Sequence, residues 1–235
     1  MREGDEMIQC RVERKKGGMA SATFYELCTE VGDIVLLSAY RDKLLKMQSS
    51  YPIRLGDRTS PATKQIGKLK CSQADYALHG PGVNVKKKDV WDDDFDEARS
   101  EARQQICSIK LTHTTHTHRL LLPNSPGPRD MAVTMSDLAA AASPGGSMTD
   151  RQYSLKNRHP QWDKELGCFL LNFNGRVSHS SRKNFQLVMV DEKVVMQFGK
   201  RGKNTFILDW GWPLTPIQAF GIALAVMDHS KKHFG

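Results

Sequence analysis

Residues 216–227 read Pro-Ile-Gln-Ala-Phe-Gly-Ile-Ala-Leu-Ala-Val-Met, and this stretch decides the fold. Proline stands near the start, where a helix has no use for its missing N–H. Ile217, Phe220, Ile222, Ala223, Leu224, Val226 and Met227 surround the whole circumference, and Gln218 is the only side chain there that hydrogen-bonds strongly. A helix apolar on every side is buried on every side. At about 1.5 Å per residue it is too short to cross a bilayer. Whatever buries it must come from the rest of the chain.

The rest of the chain reads as strands. Met7–Val12 alternates apolar and polar residues, and Ile34–Ala39 is a continuous aliphatic run. These patterns predict a half-buried and a buried strand. Tyr51–Leu55, Lys64–Cys71, Asp75–Leu78, Ile106–Leu111 and Met131–Met135 continue the series, with turn chemistry in Gly/Asp/Ser/Pro clusters between several of them. Cys168–Phe173, Asn184–Val190, Lys193–Phe198 and Asn204–Trp210 are four more, the middle two joined by a two-residue connector that suits a tight hairpin. Short strands at this spacing predict a barrel or sandwich, not βαβ units. With one wholly apolar helix, they predict strands enclosing a helix. The Ala-Ala-Ala-Ala-Ser-Pro-Gly-Gly-Ser tract at 139–147 predicts a flexible connector near 136–150, since its side chains bury too little surface to order it.

Composition sets the remaining bounds. The chain has 235 residues, with 34 Lys+Arg against 26 Asp+Glu and a formal charge of +8. A basic excess concerns partners, not fold, and selects an anion such as a nucleic acid, a membrane surface or a phosphorylated ligand. The five cysteines are scattered and form no C-x-x-C, which predicts reduced, buried thiols. The charged N-terminal residues carry no signal-like apolar core, so a soluble intracellular protein is expected.

The charge is localised. Between Arg41 and Lys70 lie eight basic residues and two acids, whereas Trp91–Glu101 holds one arginine and six acids. His113, His116 and His118 lack the further ligands of a zinc site, and the acidic block lacks the spacing of a calcium loop. No nucleophile elbow or phosphate loop is present, so neither an enzyme nor a metal or other cofactor is expected.

The segment Phe173–Gln186, FNGRVSHSSRKNFQ, resembles the tubby-like signature F-x-G-R-V-[ST]-x-x-S-x-K-N-F-Q at every fixed position. VVMQFGK at 194–200 is similar to the next tubby strand, and PLTPIQAFGIALAVMD at 213–228 to the family's terminal helix. IQCRVERKKGGM, VLLSAYRDK, SSY, IGKLK and GPRDM follow the family's order earlier in the chain. The chain departs from it in ending SKKHFG, and only a few residues precede the first strand, which leaves no room for the extension that ciliary relatives use.

The resemblance implies a short N-terminal tail at 1–6 and a tubby-like domain over 7–235. It implies a mainly β fold, a closed antiparallel barrel of about twelve strands around a hydrophobic C-terminal helix. It further implies binding of phosphatidylinositol 4,5-bisphosphate. That lipid would hold the protein reversibly at the plasma or ciliary membrane, as a peripheral protein with no transmembrane segment, and could support delivery of membrane-protein cargo to cilia. The family's basic pocket falls on Arg41 and Lys43, with Lys46 close by, and on Lys68 and Lys70 of the IGKLK run. Lysine would act there as a point charge and arginine as a bidentate fork. The alternative is a nuclear, DNA-binding transcription regulator using the same basic surface; against it stands the lack of any recognition-helix motif. Arg176, Lys183 and Asn184 are expected to fix a turn and strand pairing instead of binding a ligand.

Overall fold

The computed structural model describes residues 6–17, 23–45, 48–57, 64–72, 74–82, 103–113, 129–138, 151–165 and 167–234. In chain order the strands are β1 (Ile8–Lys16), β2 (Thr23–Thr29), β3 (Val35–Tyr40), β4 (Asp42–Leu45), β5 (Gln48–Leu55), β6 (Gln65–Ser72) and β7 (Asp75–His79). They continue as β8 (Gln105–His113), β9 (Arg129–Ser136), β10 (Gln152–Asn157), β11 (Gln161–Asp163), β12 (Cys168–Leu170), β13 (Phe185–Val188), β14 (Val194–Lys200) and β15 (Thr205–Trp210). The apolar stretch is helix α1, Pro216–Phe234.

Among the described residues, twelve strands run in the order β3-β2-β1-β15-β14-β13-β10-β9-β8-β7-β6-β5. The pairing of β3 with β5, Leu37 opposite Leu55 and Ala39 opposite Ile53, closes the ring. The expected barrel is therefore present, and closure leaves no long sheet edge to pair with another chain. β4 is nearly continuous with β3 and carries on along β5.

The core lies inside this ring. Tyr25, Leu27, Tyr51, Ile53, Leu69, Leu78, Ile109, Leu111, Phe198, Leu208 and Trp210 line it from the strands, and Phe220, Ile222, Leu224 and Val226 fill it from α1. The helix approaches the wall closely. A Cβ on Gly67 of β6 would lie 2.7 Å from Ile217 and 2.8 Å from the His79 carbonyl, so only glycine fits there.

Gln218 explains how so apolar a helix starts. Its Oε1 accepts from the Thr215 N–H at 3.0 Å and from the Thr215 hydroxyl at 2.8 Å. This is the glutamine half of a capping box, and it satisfies a donor the helix itself cannot. Its Nε2 donates to the carbonyls of Ser136 at 2.9 Å and Ile106 at 3.2 Å, tying the helix start to β9 and β8. Gln218→Ala should therefore cost about 2 kcal/mol, from a lost cap and buried carbonyls left unmet. Urea unfolding of the two proteins measures it.

Some elements differ from the sequence reading. Cys168–Phe173 is no barrel strand: Cys168–Leu170 pairs with β11 in a separate hairpin. Leu171 and Phe173 are buried but stand apart from the main core cluster. Strands β2, β4 and β10 have no counterpart in the sequence reading; in β2 four successive residues are buried, among them Glu26, which is met by Lys15. At the start of the expected connector, Ser136 closes β9 and buried Asp137 donates its N–H to the Arg151 carbonyl. Residues 139–150, the acidic block at 92–97, and His116 and His118 lie outside the described residues.

Candidate functional site

Strand register decides which basic residues meet. Across β4, β5 and β6, Asp42 stands opposite Ser50 and Ser50 opposite Lys70. One row over, Lys43 stands opposite Ser49 and Ser49 opposite Cys71. Arg41, next to Asp42, sits where the chain passes from β3 to β4, its N–H donated to the Thr23 carbonyl of β2. Strands lie about 4.8 Å apart, so Arg41, Lys43 and Lys70 fall within about two strand spacings at one rim of the barrel.

The side chains approach that rim from different sides. Leu69 and Cys71 face the core, so Lys68 and Lys70 alternate to the outer wall, Lys70 exposed and Lys68 half-buried. Lys68 lies opposite His79. His79 titrates below the ordinary imidazole range, through burial first and the Lys70 charge second. The positive charge there at neutral pH thus comes from the lysines.

Arg41 instead meets the helix. Its Nε lies 3.3 Å from Oδ1 of Asp228, which is fully buried, while the Arg41 side chain stays 23% exposed. The same oxygen accepts from the Tyr51 hydroxyl at 2.9 Å and from the Ser49 hydroxyl at 3.2 Å. Burial, followed by the Asp228 charge, drives the Tyr51 phenol far above its ordinary range. Sequence reasoning missed Asp228; the signal was its position one residue past the apolar run. Lys46 lies outside the described residues. Arg54, opposite Ser38 and Gln65, and Lys64 belong to the far end of the same strands and do not join this rim.

The FNGRVSHSSRKNFQ segment does other work. Arg176 grips Asp209 with two nitrogens, at 2.9 and 2.6 Å, and Asp209 is only 1% exposed. Gln197 and the Cys10 N–H complete the carboxylate's shell. Asn184 donates to the His179 carbonyl at 2.9 Å and accepts from the Lys200 N–H at 2.9 Å, pinning the turn to β14. A Cβ on Gly199 would overlap Val177, so the segment lies directly against the barrel's outer face. Arg176 and Asn184 thus tie this segment to β15 and β14.

A sequence model of the Tub family matches residues 2–229. The chain belongs to the Tub family. Among its Tub-family relatives, Tubby-related protein 2 of Homo sapiens is 49% identical over 239 residues, covering 93% of this chain and 45% of that protein. Tubby-related protein 2 of Mus musculus is 30% identical over 245 residues, 95% of this chain and 42% of that one. Tubby-like F-box protein 9 of Arabidopsis thaliana is 41% identical over 98 residues, 38% of this chain and 26% of that protein. The chain thus spans less than half the length of these relatives, and none of the three is named as an enzyme. Among the described residues, no Tub-domain helix is long and apolar enough to cross a membrane.

Proposed function

We propose that this Tub-family chain is a phosphoinositide-binding module, reading phosphatidylinositol 4,5-bisphosphate and tethering the protein reversibly to the plasma or ciliary membrane. What supports the reading is the register that gathers Arg41, Lys43 and Lys70 at one rim, with Lys68 beside them on the outer wall. A headgroup with phosphates on adjacent ring carbons needs several cations within a few ångströms, and a rim open to solvent admits one without moving the core. A nucleic acid would need a longer basic track. Arg176 and Arg201, which could have extended one, are already occupied by Asp209 and Glu30. Transport of membrane proteins to cilia is the cellular role that follows from such a tether.

Flotation with phosphatidylcholine vesicles containing the lipid tests this. Each lysine contributes about 1 kcal/mol at an anionic surface, so Lys43→Ala with Lys70→Ala should weaken binding about thirtyfold. Parent-like flotation of the double variant would remove the site. Steeply salt-sensitive binding to duplex DNA, with no vesicle binding, would move the reading to a transcription regulator.

A further inference from the structure

The buried partner of Arg41 bears on how the rim would hold a phosphate. Asp228 is the last acid on α1, wholly inside the barrel, and carries a formal charge among tyrosines. Burying a carboxylate costs several kcal/mol unless other groups meet it, and removing the burden by an apolar residue is often neutral. Stability alone therefore gives little reason for an ion pair in this place. Its geometry gives a better one. Arginine is a planar fork with two edges able to bind an anion. At Arg41 the Nε edge lies against Asp228, and the carboxylate is itself fixed by Tyr51 and Ser49. The Nε contact is a buried ion pair at 3.3 Å without hydrogen-bond geometry, and it turns that edge toward the core helix, which would leave the pair of terminal nitrogens to meet a ligand.

We propose that Asp228 is a positioning residue for phosphate binding, fixing the Arg41 guanidinium so that its two terminal nitrogens grip one phosphate of the headgroup. This rests on the phosphoinositide reading above. It adds that the buried Asp228 of α1 sets the geometry of the rim, so that the helix is part of the binding apparatus and not only its core. A freely rotating arginine would have to be ordered on binding, at a cost of about 0.5–1.5 kcal/mol per immobilised long side chain, and here that ordering is done during folding. The ligand chemistry concerned is a phosphomonoester on a ring, whether on a lipid or free in solution.

The test is a thermodynamic cycle on the whole chain, with soluble inositol 1,4,5-trisphosphate measured by calorimetry and vesicles containing phosphatidylinositol 4,5-bisphosphate measured by flotation. The variants are Asp228→Asn, Arg41→Gln and the two together, with Lys70→Ala as the control for the site itself. Asp228→Asn keeps the shape and an acceptor for Tyr51 while removing the charge. It should weaken binding of the soluble headgroup about tenfold, and it should change binding less than about twofold once Arg41 is glutamine. The vesicle arm should follow the soluble one; loss with vesicles alone would locate the effect in the bilayer and overturn the proposal. So would unchanged or tighter binding by Asp228→Asn, or an equal loss in both backgrounds, which is the mark of a merely structural residue.

The parent protein supplies an independent readout should Asp228→Asn fail to fold. With ¹⁵N-labelled arginine, the Arg41 Nε–H should stay protected from exchange when the headgroup is added, while its terminal nitrogens shift. Loss of that protection on binding would mean that the phosphate displaces Asp228, and the proposal falls. If Lys70→Ala binds the headgroup as the parent does while Asp228→Asn is weakened, the rim reading fails at Lys70 and the Asp228 effect stands apart from it. If Lys70→Ala is weakened and Asp228→Asn is not, the positioning role alone is wrong.

Discussion

Arg176→Ala should lower the unfolding free energy by about 3–5 kcal/mol, because it leaves the buried Asp209 carboxylate without its counter-ion. The pair is bidentate, and Asp209 has no solvent to turn to. Hydrogen bonding to Asp209 raises Arg176 above the ordinary guanidinium range, so the arginine is charged at any pH at which the protein folds. Gln197 and the Cys10 N–H would remain as donors to Asp209, and they hold the loss below that of a bare charge. For a chain of this size the expected fall in melting temperature is roughly 10 °C. Adding Asp209→Asn to Arg176→Ala should recover much of it, since the orphaned charge is then gone. Scanning calorimetry on the three proteins decides the matter. A parent-like melting temperature for Arg176→Ala, combined with loss of headgroup binding, would instead make Arg176 a ligand.

The barrel and its helix could be read from the residues because both follow from burial. A run apolar on every side has one solution, and alternation in β1, β6, β8 and β9 announces walls with one face inward. The unread elements are those in which tertiary contacts override local pattern. β2 buries Glu26 against Lys15, so its charge looked like a surface residue. The Cys168–Phe173 run begins in a separate hairpin and ends in buried Leu171 and Phe173, and no periodicity separates such a run from a barrel strand. The basic rim was half legible. Charge density marked 41–70, but eight cations in sequence do not tell which of them share an end. Register does: it brings Lys70 beside Ser50 and Asp42 and sends Arg54 toward the other end. The pairing of Arg41 with Asp228 was hidden altogether, because the two are 187 residues apart and the helix was read only for its apolarity.

That partner gives the second large effect. Arg41→Ala should cost about 3 kcal/mol of stability, whereas Lys70→Ala, on an exposed site, should stay within about 0.5 kcal/mol of the parent. The contrast follows from burial. Asp228 is fully enclosed, and with Arg41 gone its Oδ1 would keep the Tyr51 and Ser49 hydroxyls as donors but lose the guanidinium charge. Neutral donors compensate a buried carboxylate less well than a cation does, because the Coulomb attraction of the ion pair goes with Arg41. The loss should be smaller than at Arg176, because Arg41 contributes one nitrogen at 3.3 Å where Arg176 contributes two at 2.9 and 2.6 Å. Guanidinium-chloride unfolding of Arg41→Ala, Lys70→Ala and the Arg41→Ala/Asp228→Asn double variant checks this. The double variant should regain at least half of the stability lost by Arg41→Ala. A single variant as stable as the parent would mean that Asp228 is content without Arg41, and the ion pair would then be incidental to the fold. The result also governs how binding data are read. A lipid-binding loss in Arg41→Ala measured without its unfolding curve mixes a missing phosphate contact with a loosened helix. Lys70→Ala, in which only the contact is removed, reports on the rim alone.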